Sequence, residues 1–297
     1  MAGPGESPAV ARRRVLLALR RARDAAGLSQ GEVATSTGWS TSKVQRIESG
    51  ENAISITDLR ALLLLYGVTD PAKIEPLVVD AQISRRQRWS TSSDVREHVT
   101  PAMSQLVQFE AEATAIRSYQ PVVVPGLFQT PAYARFLLDW FTVSLTDDER
   151  RVRFDLRMQR RRRFLESTAG PEYYLLLDES ALKRDIGGLE VMAGQLESLV
   201  ETARRPDVHI RITPLQEGAF LGLVGQFSLF DLSRGDIENV VLYRESFSKD
   251  SMDHDPKEIE YFRSIFETFW RQSLDEEKSI RAIGAEAAAL RVSIDRT

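Results

Sequence analysis

The sequence contains no cysteine, only three histidines and no long apolar run. Without cysteine there is no disulfide, no thiolate ligand for zinc or an iron–sulfur cluster, and no cysteine nucleophile. The histidines are scattered without metal-ligand spacing, and the HExxH and P-loop motifs are missing. We therefore expect a protein that is not an enzyme and that holds neither a metal nor a cofactor.

The apolar stretches are short, and Leu62–Leu65 is among the longest. A membrane-spanning helix needs about 20 mostly apolar residues. The first residues, MAGPGESPAVARRR, also lack the apolar segment of a signal peptide. We expect a cytoplasmic protein with no membrane partner, and its 297 residues favour two domains.

The net charge of −4 is unevenly distributed along the chain. Residues 1–90 carry 13 Lys/Arg and 9 Asp/Glu, whereas residues 91–297 carry 26 and 34, so a net charge of +4 precedes one of −8. A basic segment joined to an acidic one is typical of a polyanion-binding module attached to another domain. A difference of this size also arises by chance between two halves of a chain. Charge alone therefore leaves nucleic-acid binding open.

Residues 1–90 show the pattern of five helices. The first is an amphipathic helix that Gly27 ends, and Ser29 with Glu32 forms a capping box for the second. Ser40 is the N-cap of the third helix. The predicted first, third, fourth and fifth helices run over 9–26, from Thr41 to about Ser49, from Ser55 or Thr57 to Tyr66, and from Pro71 to about Arg88.

The second and third helices have the spacing of a helix-turn-helix. Counting from Gln30, the fifth position needs a small residue and the ninth needs one that tolerates positive φ. Ala34 and Gly38 occupy these two positions. The fourth, tenth, fifteenth and eighteenth positions need apolar residues, and they hold Val33, Trp39, Val44 and Ile47. This agreement at six positions predicts a helix-turn-helix DNA-binding domain.

The segment LSQGEVATSTGWSTSKVQRIESG at 28–50 resembles the XRE family, whose members are similar to the lambda repressor and Cro, and the resemblance spans about residues 9–70. It implies that the helix starting at Thr41 enters the major groove of DNA. The implied base contacts are Thr41, Ser42 and Arg46. The implied phosphate contacts are Gln30, Ser40, Lys43 and Asn52. Helix capping by Thr41 and Ser42, and a solvated surface charge at Arg46, remain the alternatives.

The same resemblance implies a structural salt bridge between Arg23 and Glu48, with no direct role in DNA contact. It also implies a homodimer that reads a palindromic operator, with half-sites about one helical turn apart. A single module makes few contacts for tight specific binding. We therefore expect a dimerising surface elsewhere in the chain.

A polar Ser/Thr cluster in residues 85–100 places the domain boundary near residue 90, so the predicted domains are 1–90 and 91–297. In the second domain we expect a helix over Met103–Tyr119, a strand over Tyr173–Leu177 and an arginine-dense helix that opens at Thr146. An amphipathic helix over Leu189–Arg204 precedes three late strands, and two helices end the chain. These three strands and two helices are Val208–Thr213, Gln226–Asp231, Val240–Arg244, Pro256–Arg271 and Asp275–Arg291. The pattern predicts an α+β domain with a small, mainly antiparallel sheet.

Four segments of this second domain are similar to the C-terminal domain of a group of actinobacterial XRE regulators described as antitoxin-like. They are PVVVPGLFQTPAYARFLL (121–138), RMQRR (157–161), LLDESAL (176–182) and GAFLGLVGQFSLFDL (218–232). The function of that domain is unknown. The resemblance implies a small acidic protein as a further partner.

Two clusters in the second domain leave alternatives open. The arginine-dense helix has eight arginines within 14 residues, which suit either internal salt bridges or an acidic partner or anion. The candidate contacts in this helix are Arg157, Arg160, Arg161, Arg162 and Arg163. Four aromatic residues are either core or the lining of a ligand pocket, and they are Phe220, Phe227, Phe230 and Tyr243.

These patterns predict a sequence-specific, dimeric, DNA-binding transcriptional regulator whose C-terminal domain dimerises and receives a signal. The alternative is an antitoxin-like interaction protein whose main role is to bind a small acidic partner.

Overall fold

A computed structural model describes residues 8–50, 53–85, 98, 100–141, 145–217, 221–233, 239–245 and 250–296. The chain divides into two compact units. The first comprises Met1–Ser90 with Met252–His254, and the second comprises Thr91–Ser251 with Asp255–Thr297. Among the helices described, none combines the length and the apolar character that a membrane span requires.

The first unit contains five consecutive helices, which confirms the predicted helical N-terminal domain. They are α1 (Pro8–Ala25), α2 (Gln30–Thr37), α3 (Thr41–Glu48), α4 (Ile56–Leu65) and α5 (Pro71–Ser84). Side-chain caps begin four of them, because Ser29, Ser40, Ser55 and Asp70 each accept a hydrogen bond from a backbone amide of the following turn. Their apolar faces enclose one core, which includes Leu19, Val33, Val44, Leu59, Leu62 and Ala81.

Two arginines of α1 bind side chains of other segments of this unit. Arg14 donates two hydrogen bonds to Asp80 on α5, from Nε at 2.8 Å and from a terminal nitrogen at 2.6 Å. The buried Arg13 has a terminal nitrogen 2.6 Å from Nδ1 of the buried His254. Burial, followed by the positive charge of Arg13, lowers the pKa of His254 well below its usual value. This imidazole is therefore neutral at neutral pH.

The second unit combines helices with a six-stranded sheet, which confirms the predicted α+β class. Its longer helices are α6 (Pro101–Glu112), α7 (Pro131–Phe141), α8 (Asp147–Glu166), α10 (Leu189–Thr202), α12 (Pro256–Gln272) and α13 (Glu276–Ile294). Two short helices are α9 (Ser180–Lys183) and α11 (Leu221–Val224). The strands are β1 (Ala115–Gln120), β2 (Glu172–Asp178), β3 (Val208–Thr213), β4 (Phe227–Asp231) and β5 (Val240–Arg244), and a sixth, β6 (Ser251–Asp253), has its last two residues in the segment assigned to the first unit.

The strands lie in the order β3-β2-β1-β4-β5-β6. The neighbours β1–β2 and β2–β3 are parallel, whereas β1–β4 and β4–β5 are antiparallel. The sheet is therefore mixed, with β1 between a parallel half and an antiparallel half.

The helix predicted over Met103–Tyr119 was wrong in its last third. α6 ends at Glu112, and the next residues form β1, a strand in the middle of the sheet. The helical spacing of Leu106, Phe109, Ala113 and Ile116 continues into the strand, so periodicity alone does not reveal the change. Pairing with two neighbouring strands determines the structure there. Without β1, the predicted sheet was mainly antiparallel and lacked the parallel half that β1, β2 and β3 form.

The two faces of the sheet differ in character. One face carries Tyr119, Phe227 and Leu229, which pack with Phe262 and Phe266 of α12 into an apolar cluster. The other face lies against α8, because Phe164 contacts the ring of Tyr173 at 5.7 Å between ring centroids. We call this second surface the α8 face. Two polar side chains on it, Ser118 and Ser228, are buried.

Candidate nucleic-acid interface

The turn between α2 and α3 is built by caps that the sequence specifies locally. Ser29 and Glu32 form the reciprocal capping box at the start of α2. Gly38 ends the helix in the left-handed conformation, with φ of 69°, which a side chain would disfavour. Ser40 then caps α3 by accepting a hydrogen bond from the amide of Lys43 at 3.2 Å. These three devices fix the turn that relates α3 to α2.

The buried sides of α2 and α3 hold the two helices together. Val33 and Val44 are fully buried, and Ala34 and Ile47 are nearly so. Trp39, in the turn, packs against the same core from a half-buried position. The apolar positions of the helix-turn-helix pattern therefore lie in the core, so the opposite side of α3 is left to face solvent.

That opposite side of α3 is polar and available for contact. Thr41, Ser42, Gln45 and Arg46 are all exposed. These side chains have no hydrogen bond or ion pair with any part of the chain that the structure describes. Spacings of one, three, four and five residues place them on one side of a helix. The three predicted base contacts thus share a surface with Gln45, which the sequence analysis omitted.

The predicted phosphate contacts lie around the start of α2 and α3. Ser40 is exposed at the N-terminus of α3, where backbone amides suit an anion. The ammonium of Lys43 is 3.1 Å from Asp58 and 3.6 Å from the centre of the Trp39 ring. Asn52 lies outside the described residues. A phosphate at Lys43 would therefore compete with the Asp58 carboxylate.

A buried carboxylate joins the first three helices. Glu48, at the end of α3, is 1% exposed. It accepts a hydrogen bond from Nε of Arg23 on α1 at 2.7 Å and one from Nε2 of Gln30 on α2 at 2.8 Å. Arg23 also donates to the carbonyl of Leu28 at 2.8 Å. The implied Arg23–Glu48 salt bridge is present, and Gln30 is a second partner that the sequence analysis had assigned only to phosphate.

The arginine-dense helix α8 spreads its charges around its circumference. Arg160 is buried, Arg157 and Arg161 are half-buried, and Arg162 and Arg163 are exposed. Arg160 pairs with Glu110 of α6, and Arg161 donates to the Ser198 hydroxyl at 3.2 Å. The five candidate contacts therefore do not form one continuous surface. Only two of them lie where a partner protein would reach them readily.

Phe227 and Phe230, two of the four aromatic residues proposed as a pocket lining, do not lie together. Phe227 packs against Phe262 of α12 at 4.9 Å between ring centroids, and Phe230 packs against Phe109 of α6 at 6.3 Å. They lie on opposite faces of the sheet, because their positions along β4 differ by three and successive strand residues alternate in direction. Tyr243 pairs with Ser228 and shares the face of Phe230, whereas Phe220 lies outside the described residues.

Two family models match separate parts of the chain. Residues 17–77 match the family model described as a helix-turn-helix domain. Residues 103–285 match the family model described as a domain of unknown function, DUF5753. No curated protein and no solved structure matches the chain. The helix-turn-helix match covers α2 and α3, which are the helices of the candidate interface.

Proposed function

We propose that this chain, which belongs to the DUF5753 family and carries a helix-turn-helix domain before that domain, is a DNA-binding transcriptional regulator. The observation that carries the proposal is the side of α3 formed by Thr41, Ser42, Gln45 and Arg46. Its side chains are exposed and unpaired among the described residues, while Val44, Ile47 and Glu48 of the same helix are buried. A surface of free donors and acceptors on a rigid helix is what readout of base edges requires.

The side chains on this surface differ in how well they would discriminate between bases. Arg46 would donate two hydrogen bonds to the major-groove edge of guanine, and Gln45 would bond both groups on the edge of adenine. Thr41 and Ser42 discriminate less, because a hydroxyl both donates and accepts. Gln30, Ser40 and Lys43 would hold the neighbouring phosphates, which position the helix without reading the sequence.

We further infer that the protein acts as a homodimer on a palindromic operator, in the manner of XRE regulators. One module of this size makes few contacts for tight specific binding, and two-fold symmetry in the protein requires matching half-sites in the DNA. The proposed role of the DUF5753 domain is to bring two copies together and to receive a signal. The proposed site of action is the cytoplasm, where the chain would meet its operator.

Replacing Arg46 by alanine is expected to relax specificity at one base pair of the preferred site and to weaken binding there by about 1–3 kcal/mol. Binding to random DNA should change far less, because the base contact is lost while the phosphate contacts remain. The measurement is competitive binding of the full chain to its preferred sequence and to single-base variants of it.

Arg60→Ala is the matched control, because it removes one exposed positive charge from α4 in the same unit. It is expected to leave the sequence preference unchanged. Equal losses on preferred and random DNA in the Arg46 variant would rule out base readout by this residue.

A further inference from the structure

Helix α7 is apolar on two sides. One side is held in the core of the second unit by four buried side chains, which are Tyr133, Ala134, Leu137 and Leu138. On the other side Phe136 is 37% exposed and Trp140 is 68% exposed. Among the described residues, α7 is the only helix that exposes two large apolar side chains. Aromatic residues are enriched where proteins contact one another, so this second side indicates a contact surface.

The exposed side of α7 has a regular pattern. Ala132, Phe136 and Trp140 follow one another at intervals of four residues, so they form a row along the helix. Arg135 and Asp139 are also exposed, and the rotation of about 100° per residue places both of them along the same edge of that row. The surface therefore combines an apolar row with one positive and one negative charge beside it.

These two charges have no ion-pair partner among the described residues. Cζ of Arg135 lies 4.6 Å from the centre of the Phe154 ring on α8, and Asp139 forms no hydrogen bond with the described residues. They do not pair with each other, and an arginine four residues before an acidic residue is the less favourable order within a helix. Both charges are therefore available to a partner that presents an acidic and a basic group in matching positions.

A second copy of α7, packed antiparallel across a two-fold axis, presents those groups. If the axis lies midway between Arg135 and Asp139, the rise of about 1.5 Å per residue brings each arginine level with the aspartate of the other copy. The same axis brings Trp140 of each copy level with the gap between Ala132 and Phe136 of the other. The largest side chain of the row would thus pack beside the smallest one. The surface is complementary to itself in charge and in size.

We propose that the exposed side of α7 is the interface of a homodimer, in which two antiparallel copies of the helix meet along the row of Ala132, Phe136 and Trp140. A two-fold interface is isologous, so one surface has to supply both sides of the contact, and this surface does so. The proposal rests on the proposed function for its premise that two copies act together. It assigns that pairing to one helix of the DUF5753 domain.

Sedimentation equilibrium of the full chain without DNA, over a range of concentrations, measures the dissociation constant of the dimer. Trp140→Ala is expected to raise this constant at least about tenfold, because a buried aromatic anchor of the interface is lost. Asp139→Arg should raise it by a similar factor, since it places arginines opposite one another. The double variant Arg135→Asp with Asp139→Arg exchanges both charges and should restore most of the affinity. This restoration separates a lost interface from a misfolded chain.

Tyr261→Ala is the matched control, because Tyr261 is an aromatic residue of the same unit that is 61% exposed, and its loss should leave the constant unchanged. The proposal is overturned if the parent is monomeric at every concentration, or if Trp140→Ala and Asp139→Arg dimerise as the parent does. A double variant that dimerises as weakly as Asp139→Arg would also overturn it. Selection from a DNA library tests the proposed function separately, so a monomeric chain that enriches one sequence would overturn the α7 interface and leave DNA readout standing.

Discussion

Replacing Glu48 by alanine is expected to destabilise the N-terminal unit by about 3–5 kcal/mol, because the change removes one partner of a buried ion pair. Nε of Arg23 and the side-chain amide of Gln30 would both lose their acceptor inside the unit. Since these bonds join α1, α2 and α3, DNA binding should be lost together with stability. Chemical denaturation, followed by a probe of the N-terminal unit such as the fluorescence of Trp39, measures the effect.

Glu75→Ala is the control for this prediction. Glu75 pairs with Arg60 on the surface, where both side chains are about half exposed or more. Surface pairs of this kind contribute little to stability, so the control should unfold at nearly the same denaturant concentration as the parent. Similar behaviour of the two variants would show that Glu48 does not hold the three helices together.

Replacing Glu110 by alanine is expected to have an effect of similar size in the second unit, about 3–5 kcal/mol. The substitution leaves Arg160 buried without its carboxylate and close to the like charge of Arg157. Neither guanidinium would then have an ion-pair partner among the described residues. The free energy of unfolding of the full chain, followed by a signal from the second unit, measures the loss.

Glu197 forms an exposed ion pair with Arg291, and its substitution is the control for Glu110→Ala. Glu197→Ala removes one carboxylate from an arginine at the surface, and its stability should remain close to that of the parent. If Glu110→Ala were as stable as Glu197→Ala, water or another group would have to balance the charge of Arg160. The assignment of this pair to the interior of the unit would then be incorrect.

The N-terminal unit could be predicted from the sequence because its determinants are local. Ser29, Gly38 and Ser40 specify where α2 ends and α3 begins through bonds to their own neighbours. The apolar spacing then assigns Val44 and Ile47 to the core, which leaves the opposite side of α3 exposed. A pattern read within about 20 residues is sufficient for each of these conclusions.

The second unit was harder to predict because long-range pairing determines its structure. β1 continues the helical spacing of α6 and becomes a strand through bonds to β2 and β4, which are distant in the sequence. The buried polar residues Ser118, Ser228 and Tyr243 on the α8 face also come together only because β1, β4 and β5 pair. Sequence alone likewise gave no reason to distinguish Arg157 from Arg160, because only the fold supplies Glu110 to one of them.

Selection of binding sites from a random DNA library by the full chain is the decisive experiment for DNA readout by α3. We expect enrichment of one palindromic sequence, with half-sites about one helical turn apart. The affinity for that sequence should fall steeply as salt increases, since phosphate contacts release counterions. Enrichment of no sequence, with equal affinity for all library members, would contradict the proposal that α3 reads DNA.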